Sequence, residues 1–187
     1  MRSSRETNLR TSTMTIACID VGYTESETDP TTALAACVVI KDWGDATSLS
    51  ELVVNVDAVQ DYQPGQFYLR ELPCIKAVLS ELLNPPTHIV IDGYVWLDDL
   101  DHPGLGNYLH DALNQAIPVI GVAKNPFKRS LHAHELQRGG STRPLYITSA
   151  GIPVAQAASK IAAMHGPHRF PTILKRVDRL SRGEQPV

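Results

Sequence analysis

The chain has 187 residues, of which 43% are hydrophobic and 20% charged. Those values suit one globular domain with a sizeable core and exclude a low-complexity chain. No stretch is long and apolar enough to span a membrane and no signal peptide shows. Three cysteines (Cys18, Cys37, Cys74) without metal-type spacing argue against a disulfide framework, so reduced thiols and a cytoplasmic setting are expected.

The net charge of −3 hides an asymmetry, since from Lys124 onward eleven Lys and Arg stand against three Asp and Glu. Residues 1–123 carry the opposite excess, and a basic final third suggests a polyanionic partner such as nucleic acid.

In chain order, Met1–Thr13 is polar, lacks periodicity and reads as a disordered leader. Residues 14–182 read as one domain and 183–187 as a tail. Strands are expected over Thr15–Val21, Ala33–Lys41 and Leu49–Asp57. The turn signals Asp29-Pro30 and Trp43-Gly44-Asp45 separate them, and such short links suit an antiparallel meander. A loop with the Pro64-Gly65 turn leads to a helix over Phe67–Leu83, where Tyr68, Leu72, Ile75, Leu79 and Leu82 keep helical spacing. Pro73 has no N–H to give, which places the helix start at or just before Tyr68. A strand over His88–Asp92, a helix near Leu105–Gln115 and a strand over Pro118–Ala123 follow. Asn125–Arg143 reads as a basic loop region, Leu145–Thr148 as a short strand, and Pro153–Met164 and Pro171–Ser181 as helices. Three strands followed by alternating helices and strands give an α/β fold. It is a mixed sheet, antiparallel meander plus parallel strands, with helices on both faces, in the element order of the RNase H-like fold.

Two of the apolar runs, Ile16–Gly22 and His88–Gly93, end on an aspartate, Asp20 and Asp92. Taken singly, each is also an ordinary strand-end turn. Taken together, they suggest neighbouring buried strands delivering carboxylates to one point, where a hard divalent cation would offset their charge. Glu71 falls between Val78 and Leu82 on the helical wheel, inside the apolar stripe, and lies between the two aspartates in sequence. Three such acids around Mg2+ match metal-assisted phosphodiester hydrolysis. Lys124, closing the run Ile120–Ala123, is either a solvated strand end or a cation near the scissile phosphate. Tyr62, held by the Pro64-Gly65 turn, is either folded over the core or available to wedge into a base stack. The histidines at 88, 110, 132, 134, 165 and 168 show no metal-ligand spacing.

These residues occur in an order that resembles the endonuclease V family. The segment Tyr62–Pro73 is similar to the family's Tyr-x-Pro-Gly, spacer, Arg-Glu-x-Pro pattern, with Ile19-Asp20-Val21 upstream and Val90-Ile91-Asp92-Gly93 downstream. Gly121-Val122-Ala123-Lys124 and His102-Pro103 match two further motifs. The resemblance spans about Thr15 to Ser181. It implies a Mg2+-dependent endonuclease, with Mn2+ as a substitute, that nicks DNA 3′ to deoxyinosine in DNA repair; inosine in RNA is a second possible substrate. It also implies Asp20 and Asp92 as metal ligands, Glu71 as a catalytic acid, Lys124 as the active-site lysine and Tyr62 as the wedge that replaces a flipped base. Tyr62, Pro64, Gly65, His102, Lys128 and Arg129 are the expected nucleic-acid contacts, and a monomer is expected.

The chain departs from the family's pattern at four places, one of them the segment between Lys124 and Leu145, which is shorter than usual. Val95 replaces the second glycine of Asp-Gly-x-Gly, in a loop enlarged by Trp96, Asp98, Asp99 and Asp101. Gly104 follows Pro103 where an arginine is usual, and Ile152 takes the place of a late histidine, for which Asp178 or His165 could compensate. Two other readings use the same residues. One is a nucleic-acid-binding protein with weakened chemistry; the other is a nuclease with a different substrate, such as branched or single-stranded DNA.

Overall fold

The run Ile16-Ala17-Cys18-Ile19 is apolar without alternation because helices cover both sides of the strand it forms, and all four residues are buried. The protein is described by a computed structural model for residues 14–25, 30–57, 59–60, 66–98, 100, 102–127 and 133–187. Strands β1 (Ile16–Thr24), β2 (Thr32–Ile40) and β3 (Ser50–Val56) form the expected antiparallel meander. Helix α1 (Phe67–Ser80) then crosses over to β4 (His88–Asp92), which pairs parallel with β1. Helix α2 (Leu105–Ala112) crosses to β5 (Val119–Ala123), parallel to β4. Strands β6 (His134–Leu136) and β7 (Leu145–Ala150) extend the sheet antiparallel, and α3 (Val154–Ala163) and α4 (Thr172–Ser181) close the chain. The strand order is β3-β2-β1-β4-β5-β7-β6. Helices α1 and α2 pack on one face, through Ile75, Val78 and Leu109; α3 and α4 pack on the other, through Ile161, Leu174, Val177 and Leu180.

The expected elements are all present, with shifted ends. Strand β1 runs on through Gly22 to Thr24, and α1 stops at Ser80 rather than Leu83. Pro73 lies in the interior of α1 rather than at its first turn. It forfeits one ladder hydrogen bond there, a loss the buried face of Cys74, Ile75 and Val78 offsets. Strand β6 falls inside the stretch expected as a basic loop. His-Glu-Leu carries no apolar run to announce a strand; it pairs because the edge of β7 offers open ladder groups. All three cysteines are free thiols and buried. The leader Met1–Thr13 lies outside the described residues. No helix among the described residues is long and apolar enough to cross a membrane.

One close approach fixes α4 over the meander. A Cβ on Gly22 would lie 2.0 Å from the Ser181 carbonyl oxygen, so only glycine lets the last turn of α4 rest against β1. The outer side of α4 is fastened to β3. Arg176 binds Glu51 through Nη2 (2.7 Å) and Nε (2.9 Å), and it also contacts Glu184 in the C-terminal tail. The backbone N–H of Val187 donates to the same Glu51 carboxylate at 3.1 Å. The hydrogen bond from Arg176 holds the Glu51 carboxyl below its usual range, aided by Val187 and Ser48 and opposed by burial.

A carboxyl with a lowered pKa in the folded state stabilises above its unfolded pKa, and that stability is lost as pH falls through the lowered value. Glu51→Ala leaves Arg176 without its main partner in a nearly buried position. Arg176 keeps Glu184 and the Gln185 carbonyl oxygen, so the expected cost is that of a lost charged hydrogen bond, about 2 kcal/mol at pH 7, a fall in Tm of roughly 4–8 °C. The difference from the parent protein should shrink below pH 4, as followed by thermal melts across pH.

Candidate active site

The parallel pairing of β1 with β4 sets Ile19 opposite Ile91, which brings Asp20 and Asp92, one residue further along each strand, to the same level at the carboxyl edge of the sheet. Asp92 in turn pairs with Val122 of β5, so Lys124 emerges at that edge two residues later. Helix α1 supplies Glu71 from one face of the sheet and α4 supplies Asp178, Ser181 and Arg182 from the other. The side chains line one groove of about 610 Å³, together with Tyr23 and Phe67. Asp20, Glu71, Asp92 and Lys124, the residues expected from sequence, are therefore brought together.

The electrostatics of this groove are those of a site short of positive charge. Glu71 is 5% exposed, and its Oε2 has no hydrogen-bond partner. Burial, then the carboxylates of Asp20 and Asp92, push its pKa well above the ordinary glutamate value, with only Arg70 opposing. Asp92 is raised too, by burial first, against the pull of Lys124. Lys124 Nζ lies 3.3 Å from Asp92 Oδ2 and 3.4 Å from Asp178 Oδ1. Burial works to lower its pKa, but those two carboxylates outweigh it and hold the ammonium above the usual lysine range. The Phe170 ring lies 4.4 Å from that ammonium, and Arg169 donates to the Lys124 carbonyl oxygen. Arg182 Nη2 reaches Asp178 Oδ1 at 3.0 Å. Ser181 Oγ donates to Asp20 Oδ2 at 2.7 Å. Behind Glu71, the Arg70 guanidinium stacks 3.9 Å above the Tyr23 ring and pairs with Glu25 at 3.1 Å.

Among the described residues, no three acidic, histidine or cysteine side chains already converge as a closed metal cage. The donors border an open groove instead. That suits a cation such as Mg2+, which takes one or two carboxylates and keeps several waters. The orphaned, buried Glu71 Oε2 beside two like charges is the observation that fits a divalent cation there.

A second cavity, of about 330 Å³, opens next to the groove and shares Phe67, Asp92 and Gly93 with it. Its other walls come largely from the loop after Asp92, through Tyr94, Leu97, Pro103 and Leu105, with Tyr68 and Phe127 opposite. The loop is pinned to the sheet. Tyr94 donates its hydroxyl to the Asn125 carbonyl at 2.8 Å and accepts the Phe127 N–H at 3.1 Å, and Val95 N–H donates to Thr148 Oγ1 at 2.8 Å. Val95, the departure from the family's glycine, is fully buried and does not line the cavity. It packs where Gly106 of α2 leaves room: a Cβ there would lie 2.6 Å from Val95 Cγ2.

Ile152 packs against the core rather than facing the groove. Of the two residues that could stand in for a late histidine, Asp178 lines the groove, whereas His165 is exposed and bonds Thr172 at 3.1 Å. His102 is exposed, with Nδ1 2.8 Å from Asp98, and lines neither cavity, although Pro103 beside it lines the second. Tyr62, Pro64, Gly65, Lys128 and Arg129 lie outside the described residues, as do Asp99 and Asp101. Sequence reasoning missed Ser181 and Arg182. Their signal was spacing: three and four residues beyond Asp178 on one helix, they share its face. Tyr94 and Phe127 carried no such signal, because a loop fold brings them together.

The profile of the Endonuclease V family matches residues 2–165. An Endonuclease V from Streptomyces coelicolor is 28% identical over 88% of this chain and 76% of its own length. Among solved structures, the Endonuclease V of Streptomyces avermitilis superposes with a TM-score of 0.72 at 27% identity, covering 91% of this chain and 80% of that one. That of Ciona intestinalis, solved with a 24mer DNA containing an inosine followed by a ribo-adenosine, gives a TM-score of 0.74 at 17% identity, over 90% of this chain and 84% of that one. The fold is RNase H-like.

Glu71 also makes a stability prediction. A carboxyl with a raised pKa binds more protons in the folded state, so metal-free stability falls as pH climbs from the ordinary glutamate range toward the raised value. Glu71→Gln removes that charge at nearly constant shape. In metal-free buffer at pH 8 it should be more stable than the parent, because no buried charge remains to be neutralised. The gain should vanish near pH 4, as read by thermal melts in a chelator.

Proposed function

The chain belongs to the endonuclease V family, and on that premise we propose that it is a Mg2+-dependent endonuclease that nicks DNA 3′ to deoxyinosine in DNA repair. Mn2+ would serve in place of Mg2+, and inosine in RNA would be a second substrate. The observation that carries this reading is the shared wall: an apolar cavity of about 330 Å³ uses Phe67, Asp92 and Gly93 in common with the acidic groove. A base extruded from a duplex into the cavity leaves its phosphodiester chain running over the carboxylates.

In this reading Asp20 and Asp92 hold the cation, with Glu71 as the catalytic carboxyl beside them. Bound there, Mg2+ supplies a water nucleophile at neutral pH and offsets charge on the phosphodiester. Lys124, kept protonated by Asp92 and Asp178, gives the scissile phosphate a fixed positive charge. Tyr94 and Phe127 bound the flipped base, since the loop that carries Tyr94 is tied to Asn125, Phe127 and Thr148. Tyr62, set by Pro64-Gly65, fills the gap left in the stack. His102, Lys128 and Arg129 contact the backbone, and the basic final third of the chain supplies further phosphate contacts. The protein acts as a monomer in the cytoplasm.

An end-labelled duplex with one deoxyinosine, incubated with Mg2+, should give a single nick on the 3′ side of the lesion. Asp92→Ala and Asp20→Ala should lower that rate by about 10²–10³-fold or more while circular dichroism stays native. Retained cleavage would overturn the roles assigned here. Equal cleavage of undamaged, branched or single-stranded DNA would leave the nuclease standing and overturn its substrate. Salt-sensitive binding without any metal-dependent product would mean a binding protein instead.

A further inference from the structure

Ser181 is the last residue of α4 and is 3% exposed, yet its side chain is polar and touches the groove. Its hydroxyl lies 2.7 Å from Asp20 Oδ2 and 2.8 Å from the Asp178 carbonyl oxygen. One hydroxyl has one proton to give. An ionised carboxylate is the stronger acceptor, so the proton goes to Asp20. The contact depends on the bare backbone of Gly22, against which the Ser181 carbonyl rests. Three residues before Ser181 on the same helix stands Asp178, which lines the same groove.

We propose that Ser181 is a positioning residue for a divalent cation in the groove: it engages Oδ2 of Asp20, so that this carboxylate would be held in place to receive the cation, and fixes the spacing between Asp20 on β1 and Asp178 on α4. This rests on the metal-dependent nuclease reading above and extends it to a residue outside the acidic set. A carboxylate with one oxygen held loses its freedom to swing, so the ordering cost of metal capture is met in advance. The competing role for the hydroxyl is local: back-bonding to the Asp178 carbonyl in the last turn of α4 would make it a helix cap and nothing more. The two roles differ in what they change. A cap alters stability, whereas a positioning residue alters metal affinity.

The test is Mn2+ binding to the metal-free protein without nucleic acid, followed by the electron paramagnetic resonance signal of free Mn2+ and by the rise in Tm on titration. Ser181→Ala should weaken Mn2+ binding by about 10–100-fold. Ser181→Thr, which keeps the hydroxyl, should restore most of it. If Ser181→Ala does not fold, Ser181→Cys, of nearly the same size and with a weak donor, is measured in the same way and should show the same loss. A folded variant lacking the hydroxyl whose Mn2+ dissociation constant stays within twofold of the parent's overturns the proposal, even if its Tm falls. If the parent protein itself binds no divalent cation, the metal-dependent reading fails and this proposal falls with it. Parent binding with no response to loss of the hydroxyl removes Ser181 alone.

Discussion

Carboxylates repel one another, and the arrangement of this protein follows from holding four of them against that repulsion. Two like charges 4 Å apart at an effective dielectric of 20 cost about 4 kcal/mol, more than a surface loop can withstand without moving aside. None of the four here sits on a flexible element. Asp20 and Asp92 end parallel neighbours in the sheet, Glu71 is buried on α1, and Asp178 is held on α4 between Lys124 and Arg182. The strain is visible in Glu71, whose carboxyl is pushed toward neutrality and has an oxygen without a partner. Such an arrangement lowers stability in exchange for function, as active sites commonly do.

The sheet makes this possible through register. Once β4 pairs with β1 so that Ile19 meets Ile91, the two aspartates have no freedom relative to each other along the strands. Two glycines then admit the neighbours. Gly22 lets α4 rest on β1, and Gly121 leaves space beneath the Gly93 carbonyl, where a Cβ would lie 2.5 Å away. The glycine in Gly-Val-Ala-Lys is therefore a packing requirement for the loop after Asp92, while the lysine in the same motif does the electrostatic work.

Much of this was legible in the sequence. The strand-end aspartates and the acid inside the apolar stripe of α1 could be read because each is an exception to a strong pattern, a charge where burial is otherwise continuous. What was hard to read is what depends on tertiary contact alone. Strand β6 has no apolar signal and exists only because β7 offers it an edge. The start of α1 at Phe67 agrees with the expectation drawn from Pro73, but Pro73 itself stands deeper than the first turn, where the buried face of α1 outweighs one missing hydrogen bond. Val95 departs from the family's glycine, and nothing in the sequence shows that its side chain turns inward onto Gly106. Ser181 offered only its spacing from Asp178, since a serine ending an amphipathic helix carries no mark of the Asp20 it meets on β1.

The wall shared by the groove and the apolar cavity has a thermodynamic consequence. Asp92 and Gly93 border both spaces, and Asp92 is also bound to Lys124. Occupants of the two spaces therefore act on the same short piece of backbone. Under the proposed function, whatever factor a flipped base contributed to the affinity for a cation, the cation would by linkage return to the affinity for the base. On the proposed reading, base recognition and cation capture would be one binding equilibrium seen from two sides, and a base that fits poorly would weaken cation capture as well as its own binding.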